Sequence, residues 1–184
     1  LLRGAGAGGD RDGDVSASLS LEETLGGADT LGYARATEPR PFVFPDDHGA
    51  HPDFRSEWWY FTGNLDGDDG ARYGFQFPIV RGALAPPAAG GAEFAVDVNS
   101  WDTRQVYLGH FTVTDADGGV FREFERYTRG AAGLAGASTR PVRVWLDDWE
   151  VREAPGDPGD GDPVWPMRLS ARDTAVALDL VLVP

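Results

Sequence analysis

Cysteine is missing from the 184 residues, and so is lysine: all 16 basic residues are arginine. Without cysteine, disulfides, thiol catalysis and thiolate-bound zinc are excluded together. The lack of lysine reflects coding composition and carries no function. Positive charge is scarce too. Sixteen basic against 30 acidic residues leave a formal net charge of −14, which repels a phosphate backbone, so nucleic acid is excluded as a partner. No apolar run approaches the roughly 20 residues that a membrane-spanning helix needs. Nor is there a serine-centred nucleophile elbow, a phosphate loop or a dinucleotide-binding glycine fingerprint.

What is present suffices for one generous domain, since a chain of this length can bury about 70% of its unfolded surface. Residues 1–40 are rich in Gly, Ala and Asp, with a helix-like start only at Leu19–Leu25, and read as a flexible leader. Leu1–Asp14 shows no signal peptide, so one would have to lie upstream. From residue 41 to 184 the texture changes to aromatic and β-branched residues broken by Asp/Gly clusters, the pattern of an all-β domain.

Expected strands are Glu57–Leu65, Tyr73–Val80, Phe94–Asn99, Thr103–Thr114, Val120–Thr128, Val142–Val151, Met167–Arg172 and Ala175–Val183. Hairpin loops fall at Asp66–Ala71 and Asp115–Gly119. Pro78 suggests an edge or a bulge. Ala131–Ala137 reads as a small-residue loop. Asp157–Asp162 lacks the ligand ladder of a calcium loop. Antiparallel strands at this spacing predict a barrel or sandwich.

The densest chemistry lies in Phe44–Tyr60, FPDDHGAHPDFRSEWWY. His48 and His51 with a nearby carboxylate suggest a metal set. Their spacing on a Gly- and Pro-containing loop fixes no geometry, so the reading is no metal, with the histidines bonded to the loop backbone. Strand alternation sends Glu57, Trp59 and Phe61 to one face and Trp58, Tyr60 and Thr62 to the other. Burial beside Trp59 would make Glu57 a proton donor, whereas pairing with Arg55 would keep it charged.

In the second unusual stretch, Asn99–Phe111, Arg104, Val106, Leu108 and His110 share a face opposite Gln105, Tyr107, Gly109 and Phe111. A buried Arg104 would require Asp102, Glu57 or Asp53. Phe124, Tyr127, Trp145, Trp149 and Trp165 read as core, and the Arg122/Arg126 and Glu123/Glu125 alternation as a solvated face.

These two stretches, with FERYTRGAAGLAG and VRVWLDDW further on, resemble the AttH family, which includes carotenoid 1,2-hydratases (hydroxyneurosporene synthases) and proteins labelled predicted secreted hydrolases. The resemblance runs from about Gly32 to Pro184. It implies a lipocalin-like antiparallel barrel or sandwich, the first of a tandem pair. The second barrel, with a Trp-Met-Asp-x-Glu-Trp-like block, has no counterpart here, so the chain reads as the N-terminal half and that barrel as its partner.

His48, His51, Arg55, Glu57, Trp58, Trp59 and Tyr60 match the family's first motif. Trp101, Arg104, Gln105, Tyr107 and His110 match its second. The implied activity is cofactor-free, acid-catalysed hydration of a long isoprenoid. Glu57 and His51 are then candidates for a proton relay, and Trp58, Trp59, Tyr60, Trp101, Arg104, Tyr107 and His110 for ligand contacts. His48 and Arg55 shape the loop, and the main acid is expected on the other half. The alternatives are a lipid- or isoprenoid-binding protein of the cell envelope and an exported hydrolase. All of these readings expect a closed wall that gathers Trp59 and His110 around one water-poor hollow.

Overall fold

Strict alternation of burial along β1 (Ser56–Asp66) is the signature of a strand with one face in the core. The computed structural model describes residues 30–87, 104–156 and 164–183. Leu19–Leu25, Phe94–Asn99, Trp101 and Asp157–Asp162 lie outside them. β1 pairs with β2 (Arg72–Ala83), β2 with β3 (Gln105–Asp115) and β3 with β4 (Val120–Arg129), all antiparallel and consecutive. A second meander contains β5 (Ala135–Thr139), β6 (Val142–Leu146), β7 (Trp149–Glu153), β8 (Met167–Arg172) and β9 (Ala177–Leu182). Among the described residues no ladder joins the two sheets, so the all-β fold takes the sandwich form and the closed wall is not seen.

The space between the sheets is filled. Phe77 and Phe111 from the first sheet meet Trp149 from the second, with ring centroids 5.9 and 5.8 Å apart. Val144, Leu146 and Leu169 complete this layer. Gly109 makes the approach possible: a Cβ there would sit 2.7 Å from Leu146 Cδ2.

Four sequence expectations change. Val142–Val151 is two strands, because Leu146 pairs with Trp149 across Asp147–Asp148 and Asp147 takes a left-handed φ of 56°, which Asp tolerates. Part of the small-residue loop is β5, paired residue for residue with β6. Pro78 lies on an interior strand, and the β2–β3 pairing lapses at Phe77 and Pro78 without a change of register, where proline has no N–H to give. Arg126 is not simply solvated, since its guanidinium lies 4.3 Å from the Trp149 ring centroid.

Candidate functional site

Two sites emerge from the first sheet, one at an end and one on its outer face. The end site starts with parity. The inward positions of β2 run Tyr73, Phe75, Phe77, Ile79 and then Arg81, which is buried although it is charged. Across the ladder Arg81 faces Glu57 on β1 and Tyr107 on β3. Its Nε donates to Glu57 Oε2 at 3.3 Å, and its Nη2 donates to the carbonyls of His51 and Phe54 at 3.0 and 2.8 Å. The cation that meets Glu57 is therefore Arg81. Arg55 contributes its carbonyl, which accepts the Ala83 N–H at 2.8 Å.

From Glu57 the network continues outward. The His51 backbone N–H donates to the Glu57 carboxylate at 3.0 Å, and its ring Nδ1 lies 2.6 Å from Oε1. The other ring nitrogen, Nε2, lies 3.1 Å from Asp47 Oδ1. Arg40 closes the chain with a bidentate contact to Asp47. The charges thus alternate from surface to interior: Arg40, Asp47, His51, Glu57, Arg81.

Burial works to lower the His51 pKa, but the hydrogen bonds to Glu57 and Asp47 outweigh it and raise it above the ordinary imidazole value. The Arg40 hydrogen bond holds Asp47 well below the usual carboxylate range. Tyr107, buried behind Arg81, donates to Gln105 Oε1 at 2.7 Å, and burial pushes its phenol up.

This network fastens the 40–55 loop over the end of the sandwich. Trp59 Nε1 donates to the His48 carbonyl at 3.2 Å, and the Ala50 N–H donates to Thr139 Oγ1 on β5 at 3.1 Å. His48 stacks on Phe44 at 4.4 Å and does not join His51. Among the described residues no set of three or more metal-binding side chains converges.

The outer face is different in kind. Trp58 lies opposite Val80, Val80 opposite Leu108, and Leu108 opposite Tyr127. The four form one cross-strand row roughly 14 Å long at the usual strand spacing. Tyr60 pairs with Pro78 in the next row, where His110 faces Glu125, Nε2 to Oε2 at 2.9 Å. Trp58, Tyr60 and Tyr127 are all more than half exposed, so Tyr127, expected in the core, belongs to this surface.

The ligand candidates therefore separate. Trp58, Tyr60 and His110 share the outer face, while Trp59 and Tyr107 point inward. Arg104 stands exposed just before β3, its carbonyl accepting the Leu84 N–H at 2.7 Å. Trp59 and His110 lie on opposite faces of one sheet, so the shared hollow expected for them does not form. Arg81, Val80 and Tyr127 were not among the sequence candidates. Carrying the Tyr73–Ile79 alternation one step further would have found Arg81.

A family model described as AttH-like matches residues 35–184. The chain belongs to the AttH-like family. Among solved structures, a Nitrosomonas europaea protein assigned to AttH matches with a TM-score of 0.58 and 26% identity, over 81% of this chain and 39% of its own. The AttH-like chain thus spans about two fifths of that structural relative. The search of curated proteins found no match.

Proposed function

We propose that this AttH-like chain is the apolar-ligand-binding, N-terminal part of a cell-envelope or exported protein, and that its ligand is a long isoprenoid or similar lipid laid across the outer face of the first sheet. The row Trp58–Val80–Leu108–Tyr127, exposed at its two aromatic ends and half-buried at Val80 and Leu108, carries this reading. A long hydrocarbon gains about 25 cal/mol for each Å² of apolar surface removed from water, and tryptophan and tyrosine offer large, stiff apolar faces to such a molecule. One open face leaves half the ligand in water. In this reading a second barrel, the partner implied by the family resemblance, supplies the opposing wall.

The end network favours binding over catalysis within this chain. Both ring nitrogens of His51 meet carboxylates, and Glu57 is shared between His51 and Arg81. With both groups engaged inside the network, this reading places the acid needed to hydrate a double bond outside these residues. The test is co-elution: a C30 or C40 acyclic polyene incubated with the chain should travel with it through gel filtration. A polyene that elutes free of the protein, over a panel including fatty acids and phospholipids, defeats the reading.

A further inference from the structure

The second sheet also has an outer face, and its charge runs against that of the whole chain. Val142, Val144, Val151, Met167 and Leu169 are buried in the core, so alternation sends Arg143, Arg152 and Arg168 outward. The ladder sets Arg143 opposite Arg152 and Arg152 opposite Arg168. Three arginines thus stand in one cross-strand row, roughly 10 Å long at the usual strand spacing. Like charges directly opposite one another destabilise a sheet, so the fold by itself gives no reason for this row.

With Arg172, the outward positions of β5 to β9 hold four arginines against two acids, Glu150 and Asp179. On a chain of net charge −14, this face is positive. Both acids lie on one side of the arginine row, where Glu150 faces Ser170 and Ser170 faces Asp179. The outward positions that continue the strands on the other side are Pro141, Ala154, Pro166 and Val183, all uncharged. The hydrogen bond from Arg168 lowers the Asp179 carboxyl below the ordinary aspartate value, and Arg152 and Arg172 pull the same way.

The two acids orient the guanidinium groups and leave part of each one open. Arg143 Nε donates to Glu150 Oε2 and Arg152 Nε to Glu150 Oε1, both at 2.9 Å. Arg168 donates to Asp179 through Nε at 2.7 Å and through Nη2. Among the described residues, Arg143 Nη1, Arg152 Nη2 and Arg168 Nη1 meet no acceptor. The three side chains are 42%, 36% and 45% exposed. An arginine already held in place by one carboxylate loses little further freedom on meeting another.

Geometry and charge narrow the choice of anion. Backbone N–H groups in concave turns build phosphate sites, whereas this face is a strand surface whose N–H groups serve the ladders. A long polyanion would also meet the acidic remainder of the chain. A short acidic segment avoids that, because at an ionic strength of 0.15 M charges are screened over about 8 Å. Extended chain advances about 3.3 Å per residue, so three or four residues span the row. We infer that the row Arg143–Arg152–Arg168 docks a short, extended, carboxylate-rich segment of a partner protein. The inference requires only this face and is independent of the ligand on the first sheet.

The test uses the 184-residue chain and a dye-labelled hexaglutamate peptide, followed by fluorescence anisotropy. Wild type should bind the peptide best near 0.15 M salt. Binding should weaken at 1 M, where the ion pairs are screened, and at 0.01 M, where a Debye length of about 30 Å lets the whole acidic chain repel the peptide. Arg152→Gln with Arg168→Gln should weaken binding about three- to fivefold per arginine, the range of exposed ion pairs. Arg122→Gln, an equal loss of exposed charge on the first sheet, should leave it unchanged. Circular dichroism checks that each variant is folded.

Absence of wild-type binding at every salt concentration, equal binding by the double variant, or an equal loss in Arg122→Gln overturns the inference. So does tighter binding of inorganic tripolyphosphate than of the peptide. Concentration-dependent self-association that the double variant abolishes, with no peptide bound, overturns it too.

Discussion

Glu57 and Arg81 face each other across the β1–β2 ladder, Oε2 to Nε at 3.3 Å, and through this pair a surface loop is held to the buried end of the sandwich. Arg81 reaches the carbonyls of His51 and Phe54 in the loop, while Glu57 accepts the backbone N–H of His51. One buried ion pair thus holds the 40–55 loop, which carries most of the polar sequence motif.

Removing one member of this pair should be costly. Arg81→Leu leaves Glu57 without its cation and two loop carbonyls without a donor, and unfolding in urea should report a loss of about 3–5 kcal/mol. Glu57→Gln should cost about as much, because the more deeply buried Arg81 is then left without its anion, although the amide oxygen can still accept from the loop. If the pair is the fastening described here, the double variant will lose distinctly less than the sum of the single losses. Simple additivity would separate the two residues.

Stability should depend on pH through His51. Its folded-state pKa is raised by Glu57 and Asp47, so its contribution is fully present below the unfolded value of about 6.5 and is lost as pH rises through the raised folded value. Wild type should become easier to unfold on that alkaline side, and His51→Gln should flatten the slope there. Asp47 acts in the opposite sense: its lowered pKa gives a contribution present above the usual carboxylate range and lost only in strong acid. Identical slopes for wild type and His51→Gln between pH 6 and 8 would contradict the network.

Sheet packing should be sensitive at Gly109. A Cβ there would meet Leu146 Cδ2 at 2.7 Å and the Trp149 ring at 3.3 Å, both in the fully buried layer. Gly109→Ala should destabilise by about 1–3 kcal/mol, the usual cost of overpacking. Gly74→Ala, whose nearest neighbours would lie at 3.8 and 3.9 Å, should cost clearly less. Equal midpoints in thermal melts would argue against close approach of the sheets at Gly109.

Much of the fold was legible because its turns are chemically explicit. The DGDDGA and DADGG clusters each join strands of clear alternation, and both hairpins occur where those residues fall. β5 was hidden: AGAST has little intrinsic strand preference, and pairing with β6 and burial of Ala135 make it a strand. The Asp147–Asp148 turn was hidden too, because two acids between apolar runs resemble a solvated stretch of one strand.

At the site, alternation separated Trp58 from Trp59 but could not say which faced the core. That depends on which face the second sheet covers, a tertiary fact. The same limit concealed the separation of Trp59 from His110. Arg81 escaped notice because the expected strand stopped at Val80, one residue short of it, while the strand runs on to Ala83 and its parity places Arg81 in the interior.

The central claim is that the outer face, with Trp58 and not Trp59, receives the apolar ligand. Titrating a C30–C40 acyclic polyene into wild type, Trp58→Ala and Trp59→Ala, and following tryptophan emission, tests it directly. The account predicts saturable quenching in wild type, weakened about tenfold or more in Trp58→Ala and largely kept in a folded Trp59→Ala. Retained binding in Trp58→Ala together with its loss in Trp59→Ala would contradict it.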